Sequence, residues 1–123
     1  MLVVNESSDS DIVVVKMSGV VTAAEIDVAL PQIERIFEER ERLRFYVELI
    51  GLESHALLAA WREATFFLRH RGKIERAAFI VSSPGERAVG WVGELFMGGE
   101  SREFSRGEEA LALAWLKADA SRA

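Results

Sequence analysis

The sequence predicts an α/β domain: a largely parallel sheet covered by helices, with elements in the order ββαβαβαβα. Three observations predict it. Short runs rich in Val, Ile and Phe recur along the chain, as at Ile12–Met17, Phe45–Leu49 and Ala77–Val81. Between them lie stretches whose apolar residues repeat every three or four positions, the helical period. Gly, Ser, Thr and Pro sit at the changeovers, where they stop strands and cap helices. Strands joined by helical crossovers pair in parallel.

The first two strands, Leu2–Asn5 and Ile12–Met17, flank the polar cluster Glu6-Ser7-Ser8-Asp9-Ser10-Asp11 and read as a hairpin, which makes the first strand antiparallel. Gly19 ends the second. Thr22-Ala23-Ala24-Glu25 has capping-box spacing, in which hydroxyl and carboxylate each satisfy a free backbone N–H. Pro31 removes a helical hydrogen bond, so a kink is expected near Leu30-Pro31, with the helix running to about Arg42. Ile26, Leu30, Ile33 and Phe37 form its apolar side, and the charge run Glu38–Arg44 reads as a solvated end.

Phe45–Leu49 is the third strand. Gly51-Leu52-Glu53-Ser54 leads into a helix from about His55 to Arg71, with Ser54 at the N-cap and Gly72 closing it. Leu57, Trp61, Ala64 and Leu68 make its core stripe on a 3.6-residue wheel. Phe66 then projects opposite, among Arg62, Glu63, Arg69 and His70. Ala77–Val81 is nearly all apolar, as a strand buried on both faces should be. Ser82-Ser83-Pro84-Gly85 is a turn, and residues 86–97 read as a weak helix interrupted by Gly90 and Gly93. Gly98-Gly99 ends it. Arg102–Phe104 is the last strand. Ser105-Arg106-Gly107-Glu108 repeats the capping-box spacing before a helix with the stripe Leu111, Ala114, Trp115 and Ala118.

Composition narrows the function. The 123 residues suit one domain, 1–123, with no linker or repeat dividing it. Half are hydrophobic and 28% are charged, an ordinary globular mixture. There is no cysteine, so disulfide and thiolate chemistry are excluded and a reducing cytoplasm is the expected compartment. The formal charge of −5 gives no general attraction to phosphate backbones, so nucleic acid is not an expected partner. The apolar runs fall far short of the roughly 20 residues of a membrane span.

The catalytic patterns are missing too. No GxGxxG, P-loop, HExxH, GxSxG or CxxC motif occurs. His55 and His70 stand fifteen residues apart on one predicted helix, about 22 Å along its axis, and share no metal. Ser54 and His55 are adjacent, so their side chains diverge, and N-capping accounts for the serine. No cofactor and no catalytic residue is expected. The reading is a binding module and not an enzyme.

Two features suggest contacts. Large apolar residues flanked by glycines, Trp91, Leu95, Phe96 and Met97, suit a segment lying against a groove, with methionine adapting to irregular surfaces. A crossover helix with Ala88, Val92 and Leu95 inward is the alternative. Phe66 is a further contact candidate, the alternative being that it packs beneath a neighbouring helix or loop. The ligand expected beside residues 90–97 is a small apolar or lipid-like molecule. A protein partner or a second copy of the chain is the other expected occupant.

The stretches Leu30-Pro31, Trp61-Arg62-Glu63, Phe67 with His70, Ile74–Val81, Trp91, Phe104 and Ala114-Trp115-Leu116 together resemble the SpoIIAA-like group of the STAS superfamily, a fold also compared with the lipid-binding SEC14 domain. The resemblance implies a mixed sheet covered by helices. It also implies an alternative role, an anti-sigma-factor antagonist switched by phosphorylation of a serine at the N-terminus of the second helix. Ser54, beside His55, is the position that matches, although the usual Asp-Ser pair is absent and Glu53 would repel an added phosphate. The SEC14 likeness implies a lipid or other apolar ligand under a movable helix at residues 90–97.

Overall fold

The first strand, β1 (Leu2–Glu6), pairs antiparallel with β2 (Ile12–Ser18), as the hairpin reading requires. The structure is a computed structural model describing residues 1–6, 11–51 and 66–118, without the side chains of Arg71, Val92, Leu95 and Phe96. After β2 come α1 (Ala23–Glu39), β3 (Leu43–Ile50), the helical residues 66–69 (α2) and a 3₁₀ turn at Arg71–Lys73. Then follow β4 (Ile74–Val81), α3 (Pro84–Met97), β5 (Glu100–Ser105) and α4 (Glu109–Lys117). The strands lie in chain order, β1-β2-β3-β4-β5, and every pair after the first is parallel.

That order decides where the helices go. Right-handed crossovers between sequential neighbours return the chain on the same side each time. Val13, Val15 and Met17 of β2, Phe45, Val47 and Leu49 of β3, and Phe79 and Val81 of β4 therefore meet Ile33 and Phe37 of α1, Phe66 and Phe67 of α2, and Val89 and Met97 of α3. The alternate residues Ile12, Tyr46, Ala78 and Ile80 point to the other face, where Ala112 and Leu116 of α4 cover them.

The capping box at Thr22 and Glu25 forms with both of its hydrogen bonds. α1 runs unbroken through Pro31, which stands exposed on the solvent side, where a helix best tolerates a missing bond. It ends at Glu39, short of the expected Arg42, with the Arg40 N–H donating to the Ile36 carbonyl.

Two stripes need correction. Leu68 is 40% exposed while Phe66 and Phe67 are buried, so the second helix is rotated from the orientation its wheel suggested. Phe37 and Phe45 of α1 and β3 provide the aromatic surface that Phe66 and Phe67 pack against, with ring centroids 5.2–6.3 Å apart. Leu57, Trp61 and Ala64 lie outside the described residues. In α4, Ala112 and Leu116 are buried with Leu113 and Trp115 against the sheet, and Leu111, Ala114 and Ala118 are exposed. The helix is apolar almost all round, so periodicity could not select its inner side.

Two arginines select it instead. Arg44 of β3 donates to the Leu116 carbonyl and, at 2.7 Å, to that of Ala118. Arg76 of β4 donates to the Trp115 carbonyl at 2.6 Å and lies over the Trp115 ring at 5.1 Å. Cations at a helix C-terminus satisfy carbonyls that lack an intrahelical donor.

Candidate functional site

α3 begins at the ends of the central strands. Ser83 caps it, accepting from the Glu86 N–H at 3.2 Å, and Pro84 takes the first turn, where its missing N–H costs nothing. Glu86 itself is buried. Its carboxylate accepts from the Gly51 N–H at 2.7 Å, the Ser82 N–H at 2.9 Å and the Ser82 hydroxyl at 3.0 Å. One buried acid thus ties the ends of β3 and β4 to the helix. The spacing Ser83-Pro84-Gly85-Glu86 carries the S-x-x-E capping signal, which the turn reading of these residues passed over.

The glycines that suggested interruption have another use. α3 is one continuous helix across Gly90 and Gly93. A Cβ on Gly93 would come within 2.8 Å of the Phe79 ring, and one on Gly90 would meet Val81 at 3.4 Å. The missing side chains let the helix lie close against β4. Its inner residues are Glu86, Val89, Gly90 and Met97, so the expected inward position of Ala88 is corrected: Ala88 is exposed.

Trp91 points the other way and is 59% exposed. Glu94 follows one turn later, half-buried. Burial, and then the charge of Glu103 on β5, hold its carboxyl above the usual carboxylate range. This outer side presents Arg87, Ala88 and Trp91 to solvent.

The other candidates divide. Met97 is 3% exposed and fills the core, and Phe66 is 5% exposed among Phe37, Phe67 and His70. Neither is presented for contact, because the orientation of α2 and the close seat of α3 turn the Phe66 ring and the Met97 thioether into the sheet's helical layer. The side chains of Leu95 and Phe96 lie outside the description, as do Ser54 and His55 entirely. His70 is no bare surface histidine. Its ring stacks on Phe37 at 4.4 Å and its Nε2 lies 3.3 Å from Glu34 Oε2.

A second surface was not anticipated. An open cleft of about 320 Å³ runs between α1 and β1, walled by Leu2, Val4, Ala24, Val28 and Ala29. Glu25 and Gln32 stand over it. Glu25 accepts from the Leu2 N–H at 2.7 Å, and Gln32 donates to the Val4 carbonyl at 3.3 Å. Hydrogen bonds from the Thr22 and Leu2 backbone hold the Glu25 carboxyl below its ordinary range. No sequence period marks this cleft, since it arises where a helix meets a strand, joined by bonds spanning 23 and 28 residues of chain.

Among the described residues no group of three or more His, Cys, Asp and Glu side chains is arranged to hold a metal. No described helix is long and apolar enough to cross a membrane.

The comparisons agree with this architecture. The family model described as SpoIIAA-like matches residues 12–117. Comparison with the curated proteins finds no match. Among solved structures, the chain is similar to an uncharacterized protein with a SpoIIAA-like fold from Shewanella loihica PV-4. The two are 24% identical with a TM-score of 0.66, covering 94% of this chain and 92% of that one.

Proposed function

This chain belongs to the SpoIIAA-like family, and since a fold does not by itself assign a function, we propose from the site that it is a non-catalytic binding module whose contact surface is the outer side of α3. One observation carries the reading. A tryptophan stands 59% exposed on a helix that is otherwise seated on β4 through two glycines and a buried glutamate. A large amphipathic ring presented from a rigid element loses little freedom on binding, which is why tryptophan recurs at contact centres. The ligand class is a small apolar or lipid-like molecule.

Titration with oleate, and sedimentation with phosphatidylcholine vesicles, tests it. Binding should weaken about tenfold or more in Trp91→Ala, while stability stays within about 0.5 kcal/mol because the ring is largely outside the core. Equal binding by the variant, or none by the native protein, removes the reading.

A second reading, regulation by a protein partner at the loop entered at Gly51, has one observation behind it: the Gly51 N–H is held by the buried Glu86 carboxylate, which fixes where that loop leaves β3. It requires Ser54 to be modified. Incubation with cell extract and ATP, followed by mass spectrometry of the peptide holding Ser54, decides it, and an unmodified serine excludes it.

A further inference from the structure

Two carboxylates act on one another across the seam between α3 and β5. The seat of Gly93 aligns them. Gly93 lies against the Phe79 ring of β4, and Phe79 stands in register with Glu103 of β5 on the same face of the sheet. Glu94, the next residue along the helix, is half-buried on the β5 side, where the charge of Glu103 reaches it.

The surroundings supply no counter-charge. β4 places the apolar Phe79 and Val81 beneath this part of α3. On β5, Arg102 alternates to the opposite face and lies over Phe104 at 5.9 Å, so Ser101, Glu103 and Ser105 are the residues on the α3 side. Arg106 stands beyond the end of β5, Arg87 lies about two turns before Glu94, and Glu86 is held at the strand ends. Among the described residues no ion pair or hydrogen bond reaches either carboxylate.

Trp91 stands one turn before Glu94, and residues three apart are neighbours on a helix surface, about 5–6 Å apart at Cβ. A ligand laid over the exposed Trp91 ring therefore covers Glu94 as well. Stripping water from a carboxylate costs its ionised form far more than its neutral acid. Burial and Glu103 already hold this carboxyl above the usual range, and added cover acts in the same direction. Resting on the α3 reading above, we propose that the outer side of α3 is a proton-linked surface: engagement of an apolar or lipid-like ligand over Trp91 is coupled to protonation of Glu94, and affinity rises as pH falls. With ligand bound, Glu94 keeps its proton to higher pH than in the free protein. Affinity is lowest where both forms are ionised, rises by up to about tenfold per pH unit as pH falls between the two ranges, and levels off once both are protonated.

Sedimentation with phosphatidylcholine vesicles, whose head group keeps its charge throughout, should show binding that tightens about tenfold from about pH 8 to about pH 5.5. Glu94→Gln should give a flat profile, binding at the higher pH as tightly as the native protein does at the lower. Glu103→Gln should keep the rise but move it to lower pH, because the like charge is gone. The histidines and the remaining carboxylates are present in all three proteins and contribute to each profile alike. Native binding that is flat or that tightens as pH rises, or a Glu94→Gln profile matching the native one, overturns the proposal; if Trp91→Ala still weakens that binding, the α3 reading stands without it. No binding by the native protein or by Glu94→Gln at any pH removes both.

Discussion

Gly93 and Gly90 sit three residues apart on one helix and should respond oppositely to alanine. At Gly93 the new methyl would stand 2.8 Å from a ring carbon of Phe79, itself buried, so something must move. Overpacking of that kind costs about 1–3 kcal/mol. At Gly90 the nearest atom, on Val81, is 3.4 Å away, an ordinary contact. There the helix propensity of alanine, about 1 kcal/mol better than glycine, should prevail. Urea denaturation should therefore show Gly93→Ala destabilised and Gly90→Ala neutral or stabilised. Gly99, at φ +64° with a Cβ position 2.4 Å from the Ile74 carbonyl, tolerates no side chain. Glu94 offers a titration test. Its carboxyl is raised in the folded protein by burial and by Glu103, so its unfavourable contribution is absent below the ordinary carboxylate range and sets in as pH rises through the raised value. Glu94→Gln should stabilise the protein at pH 7 by up to about 1 kcal/mol, and the gain should vanish as pH falls below about 4.

Among the elements, α4 depends most on contacts that its own residues do not announce. Its apolar side chains surround the helix, and the arginines of β3 and β4 hold its last turn. Arg76→Met keeps the stem but removes the cation, leaving the Trp115 carbonyl without its 2.6 Å donor. Hydrogen exchange across Glu109–Lys117 should speed up while the amides of β2 and β3 hold their protection, and equal loss throughout would show that α4 does not open on its own. At the opposite end of the sheet, Gln32→Ala frees the Val4 carbonyl of the edge strand β1. Analytical ultracentrifugation should then show more self-association than for the native chain. The elements whose signals are local were legible: the hairpin, the capping box at Thr22 and the stop at Gly98 all stand where the residues place them. The orientation of α2 and of α4 was not, because an apolar run without a clean polar side carries no angular information.

Taken whole, the molecule has two unequal layers. Among the described residues, α1, α2 and α3 cover one face of the sheet and α4 covers part of the other, an outcome of sequential strand order with same-handed crossovers. That arrangement leaves the outer side of α3 and the cleft over β1 at opposite edges, α1 beside β1 and α3 over β4 and β5.

Alternation, caps and glycine stops act within a few residues of one another, and for that reason the order of elements and the parallel sheet with its antiparallel first strand could be read along the chain. Burial of Met97, the seat of Glu86 between two strand ends, and the open cleft over which Glu25 and Gln32 stand could not. Each depends on which atoms arrive from another element, and that is set by how the helices rotate and settle on the sheet, a choice made by packing and by hydrogen bonds between residues as far apart as Gly51 and Glu86.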